Sequence, residues 1–148
     1  MGHFVSGIVT SFKYIGDLPH VYLVGNYALI PLSSVSEKFK GYAIEPFEEL
    51  TPNIKKLARD LSFYGKCAFI ETSYHGGLGS QASIVWENGD CVFEPTQADD
   101  AINRALNFMG IWCHDGKDEF DTARLGWYRS NKEIEQEYMI KTKVSSEK

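Results

Sequence analysis

Three stretches of this sequence hold residue types that could do chemistry. The first, TSYHGGLGSQASIVW at residues 72–86, contains Gly77-x-Gly79-x-x-Ala82, close in lettering to a dinucleotide-binding loop. Such a loop follows a strand and opens a helix, whose N-terminal amides meet the pyrophosphate. Here Gln81 to Glu87 alternates as a strand does and then enters Asn88-Gly89, which leaves no room for a helix. No Lys-Ser/Thr pair follows the glycines, so the segment is not a P-loop. The expectation is a glycine-rich connection between two strands, with an anion-binding module on the Gly76–Gly79 amides as an alternative.

The second set comprises Glu71, His75 and Cys113, the side chains a small hydrolase would draw on. His3, His20, His75 and His114 show neither helical i, i+4 spacing nor an HExxH motif, so no zinc site is expected. Cys113 and His114 are sequence neighbours, and adjacent side chains usually point apart, so a Cys113–His75 pair would have to form in space. Glu71 and the Glu48-Glu49 pair lack a partner carboxylate at helical or strand spacing, so a glycosidase pair does not follow.

The third is DGKDEFD, residues 115–121, which carries Asp115, Asp118, Glu119 and Asp121. It has neither the alternating Asp/Asn-Gly pattern nor the twelfth-position Glu of a calcium loop. Trp112 precedes it, Phe120 lies inside it, and Trp127-Tyr128-Arg129 follow. Trp, Tyr and Arg are the commonest interface anchors, and a carboxylate rim around them suits a basic partner. Trp112, Asp115, Asp118, Glu119, Asp121, Trp127 and Tyr128 are therefore the expected partner-binding residues. The competing expectation is that these rings pin the connection to the core. No cofactor and no metal is expected.

Composition supports a protein partner. Fifteen basic against twenty acidic side chains give a net charge of −5, which disfavours nucleic acid because phosphate binding needs a Lys/Arg footprint. The aromatic share of 14% leaves rings to spare for a surface. Cys67, Cys91 and Cys113 are odd in number and well separated, which points to a reducing compartment rather than to disulfides. With no basic-then-apolar leader in MGHFVSGIVTSF and no long apolar run, the expected location is the cytoplasm, with no membrane partner.

The elements that must position these residues read as one domain over 1–148, with a polar tail, expected to fray, from about 140. Strands are expected near 3–12, 20–24 and 27–32, the last two joined at Gly25-Asn26, followed by a loop over 33–50. Thr51 as cap, Pro52 at the first position and Ile54, Leu57, Ala58 and Leu61 on one stripe predict a helix that stops at Gly65. KCAFIETSY, QASIVWE and DCVFEP predict a meander over 66–94, with CAFI apolar on both faces. Thr96-x-x-Asp99 predicts the start of a second helix that ends at Gly110, and Ser130-x-x-Glu133 that of a third, weaker one. The fold class is α+β: a largely antiparallel sheet of about five to six strands, two main helices and a weaker C-terminal one.

SYHGGLGSQASIVW, then DDAINRALNFMGI, then DEFDTARLGWYR resemble segments of small bacterial immunity proteins of secreted-toxin systems, including those of contact-dependent growth inhibition. The resemblance spans roughly residues 65 to 129 and brings no catalytic residue with it. It implies a non-enzymatic protein that binds a cognate toxin domain, a nuclease for instance, and blocks its active site or substrate groove.

Overall fold

The computed structural model describes residues 3–75, 78–111 and 128–146, with side chains as far as 141. Its elements are β1 (Ser6–Thr10), β2 (Val21–Tyr22), β3 (Ala28–Pro31), α1 (Pro52–Leu61), β4 (Cys67–His75), β5 (Leu78–Glu87), β6 (Asp90–Gln97), α2 (Ala101–Phe108) and α3 (Asn131–Ser146). The strands form one six-stranded sheet in the order β2-β3-β1-β4-β5-β6, and every pairing is antiparallel. This is the α+β architecture that the sequence predicts.

The central pair sets the frame. β1 lies between β3 and β4, in register through Ile8↔Ile30 and Ile8↔Phe69. Successive side chains point to opposite faces, so Ala68 and Ile70 face one side while Cys67 and Phe69 face the other. Both faces are apolar, and both are covered. Val5, Val9, Leu29, Ile70 and Val85 pack under α2 and α3 through Ile102, Ala105, Leu106 and Ile134. Ile8, Ile30, Phe69, Ile84 and Trp86 pack under α1 and the 33–50 connection through Ile54, Ala58, Phe47 and Leu50.

Local signals explain most of the element ends. Thr51 Oγ1 accepts the Ile54 N–H at 3.3 Å and donates to the Phe39 carbonyl at 2.6 Å, so the cap also ties the loop down. Asn88 and Gly89 sit at φ 53° and 81°, the primed turn expected between β5 and β6. Ser130 Oγ accepts the Glu133 N–H at 3.3 Å, as the Ser130-x-x-Glu133 box requires.

Three helix boundaries differ from expectation, and the first two strands are shorter than expected, at Ser6–Thr10 and Val21–Tyr22. α1 stops at Leu61, short of Gly65, because Ser62 turns to the hairpin: its Oγ accepts the Gly89 N–H at 2.8 Å and its carbonyl the Asn88 N–H at 3.0 Å. Thr96 starts no helix. It belongs to β6, opposite Ser83, with its hydroxyl on the Glu94 carbonyl, and α2 begins five residues later at Ala101. α3 is the longest helix among the described residues and continues through Ser146, into the stretch expected to fray.

The end of α2 is a Schellman motif. Gly110, at φ 105°, donates to the Asn107 carbonyl at 3.0 Å, and Ile111 donates to that of Leu106 at 2.9 Å. Tyr27 caps the same end through its hydroxyl on the Met109 carbonyl at 2.6 Å. Gly110→Ala forces an L side chain into this left-handed position, with its Cβ about 3.0 Å from the Tyr27 hydroxyl. The variant should lose about 1–2 kcal/mol in urea-unfolding free energy, while an unchanged midpoint would refute the cap assignment.

Candidate functional site

The glycine stretch resolves into a hairpin. β4 pairs with β5 from Cys67↔Trp86 to His75↔Leu78, so Gly76 and Gly77 connect two paired strands and no helix follows. Both lie outside the described residues. At Gly79, paired with Tyr74, a Cβ would collide with the Ser73 carbonyl oxygen. Gln81, just past the glycines, has a role that its neighbours in sequence do not reveal. Its Oε1 accepts the Ile102 N–H at 2.8 Å and its Nε2 donates to the Tyr74 hydroxyl at 3.1 Å. The side chain thus satisfies an orphan amide at the start of α2, where the sequence points to Thr96 as the cap.

The hydrolase set does not converge among the described residues. Glu71 and His75 stand four residues apart on β4, roughly 13 Å along the strand, and His75 is exposed at the hairpin end. Cys113 lies outside the described residues. Cys67 is buried, which pushes its thiol up to about 12 and leaves it inert as a nucleophile near neutral pH. Among the described residues no group of three or more His, Cys, Asp or Glu is placed to hold a metal ion.

Of the residues expected to bind a partner, Trp112, Asp115, Asp118, Glu119, Asp121 and Trp127 lie outside the described residues. Tyr128 is described, and it is buried among the α2–α3 core residues with its hydroxyl donating to Glu137 at 2.6 Å. Its ring packs inside the domain rather than standing on the surface.

What the described residues assemble instead is an acidic cleft of about 470 Å³. It opens where β1 begins, between the 33–50 connection and the start of α3, and Glu48, Glu49, Glu71, Phe4, Val35 and Lys132 line it. Its position follows from local ties. Phe4 N–H donates to the Arg129 carbonyl at 2.7 Å. Asn131 accepts the Ser6 N–H at 2.9 Å and donates to the Ser6 hydroxyl at 3.2 Å, which fixes the N-terminal end of α3 against β1. Phe4 and Val35 are large apolar side chains left exposed at its edge, at 49% and 74%.

Glu71 is the floor of the cleft. It is buried in β4 and its two oxygens accept the Glu48 N–H at 3.0 Å each, with Oε1 also accepting the Glu49 N–H at 3.2 Å. The carboxylate therefore pins the loop to the sheet through main-chain amides. Glu49 in turn accepts the Ser34 N–H and hydroxyl, both at 2.9 Å. No spacing rule could pair Glu71 with residues 48 and 49, since the contact is made by folding alone.

Burial pushes the Glu71 carboxyl above its ordinary value, and the charges of Glu48 and Glu49 add to this, against the opposing pull of the two amides. A carboxyl whose pKa is raised on folding contributes stability in full below its ordinary value of 4.5, and loses it as pH rises through the raised value. Glu71→Gln should therefore gain stability relative to the wild type as pH rises from 4.5 to neutral, read from urea midpoints. The wild type gaining instead would mean that the amide cradle outweighs burial. Glu71→Ala leaves both amides without this acceptor and should cost about 1–3 kcal/mol.

Comparison of the chain with protein-family models, with curated proteins and with solved structures gives no match.

Proposed function

We propose that this chain is a non-enzymatic binding protein of the immunity type, which takes a basic toxin domain on an acidic surface and occludes its active site or substrate groove. The observation that carries the reading is the cleft at Glu71, where Glu48, Glu49 and Glu71 face a single lysine, Lys132, beside exposed Phe4 and Val35. Carboxylates around an apolar edge complement a basic partner, and the net charge of −5 steers one inward. The cleft also adjoins, along the chain, the segment singled out by composition: Ser130, Asn131 and Lys132 line it, and DGKDEFD ends nine residues before Ser130.

In this reading Trp112, Asp115, Asp118, Glu119, Asp121 and Trp127 are further partner-binding residues, chosen by their chemistry, while buried Tyr128 supports the domain from inside. The class of toxin follows from the resemblance and from charge, and a nuclease domain is the basic partner that fits best.

The test is co-expression with a toxin domain encoded beside this chain, scored by rescue of growth and by co-purification. Absence of both rejects the reading. Trp127→Ala should weaken the complex by about 2 kcal/mol or more with the domain still folded. Glu48→Lys reverses an exposed charge and leaves the main-chain amide cradle intact, because Glu71 binds the N–H of residue 48 and not its side chain. It should lower the calorimetric affinity about tenfold, and unchanged affinity in a folded variant would remove the cleft from the interface.

A further inference from the structure

A second surface has the opposite charge. Along α1 and the turn after it, Lys55, Lys56, Arg59, Asp60 and Phe63 recur at helical spacing, on the side away from buried Ile54 and Ala58. With Tyr42 they line an open cavity of about 440 Å³ that reaches the Asn88-Gly89 hairpin. Three cations meet one carboxylate here, in a chain whose total charge is −5.

These cations are not consumed by the fold. The ion pairs among the described residues are Arg104–Asp100 and Lys141–Glu137, and neither involves α1. Arg59 Nε donates to the Gly89 carbonyl at 2.9 Å, which fixes the guanidinium at the cavity without pairing its charge. The rings are equally uncommitted: Tyr42 is 75% exposed and Phe63 is 63% exposed. Phe63 is nevertheless held in place, since its edge rests so close over Gly89 that a Cβ there would meet Cζ at 2.8 Å.

We infer that this face of α1 is a docking site for an acidic segment of a protein partner, one that carries an aromatic or aliphatic side chain among its carboxylates. Lys55, Lys56 and Arg59 pair with the carboxylates, and Tyr42 and Phe63 receive the apolar side chain. Charge complementarity favours this occupant. A nucleic acid needs a longer Lys/Arg footprint than one helix face interrupted by Asp60, and the whole-chain charge repels it. The inference stands apart from the toxin reading, because that reading concerns a basic partner at the Glu71 cleft.

The test titrates the isotope-labelled full chain with a Glu- and Phe-rich peptide, with a peptide carrying Lys in place of each Glu, and with oligouridylate. The acidic peptide should give saturable amide shifts at 42–44, 53–63 and 88–90. The double variant Lys55→Glu, Lys56→Glu should weaken that binding about tenfold or more. Lys56→Glu alone, at an exposed position, should act in the same direction with an unchanged unfolding midpoint. No saturable shift, binding insensitive to Lys56→Glu, tighter binding of oligouridylate at the same residues, or self-association abolished by Lys56→Glu would each overturn the inference.

Discussion

The structure depends on a sheet whose central strands are apolar on both faces. β4 alternates Cys67, Phe69 and then Glu71 on one side with Ala68, Ile70 and then Thr72 on the other, and the first two of each set are fully or almost fully buried. Each large apolar side chain removed from water contributes about 1.5–3 kcal/mol, so neither face can be left open. One is covered by α2 and α3, the other by α1 with the 33–50 connection. Trp86, Phe69 and Ile54 meet in the second layer, and a loop with no regular structure can close it because Phe47 and Leu50 insert as core residues.

The polar ties that fasten these covering layers come from strand positions outside the apolar run of β4. Glu71, one position past the apolar run, holds the loop by its Glu48 and Glu49 amides. Ser6, at the start of β1, holds α3 through Asn131. Gln81 and Ser83 on β5 hold α2, the first through the Ile102 N–H and the second through the Ala101 carbonyl at 2.7 Å. The acidic cleft lies where the first two ties come together, and the cationic face of α1 lies where Ser62 and Arg59 hold the opposite hairpin. Two surfaces of opposite sign on one small domain thus follow from how its covering layers are fastened.

Much of this was legible in the sequence because it rests on local chemistry. Thr51-Pro52, Asn88-Gly89 and Ser130-x-x-Glu133 mark turns and helix starts through bonds between near neighbours, and the apolar character of CAFI on both faces marks a doubly covered strand. What escaped depends on contacts between distant residues. Thr96 has the letters of a cap, but pairing with Ser83 extends β6 past it, and the amide of Ile102 is satisfied by Gln81, twenty-one residues away. Glu71 read as an unpaired carboxylate because its partners are main-chain amides, which any residue type at 48 and 49 would supply. Tyr128 shares its composition with surface anchors, and only packing distinguishes a buried ring from an exposed one.

The proposed function puts a basic toxin domain on the acidic cleft at the start of β1. Zero-length carbodiimide cross-linking of the complex, read by mass spectrometry, tests it most directly, since it joins carboxylates only to amines in contact. Links from Glu48 or Glu49 to lysines of the toxin domain are expected, lost when salt dissociates the complex. A complex that forms with every cross-link elsewhere, and none at residues 48 and 49, would contradict it.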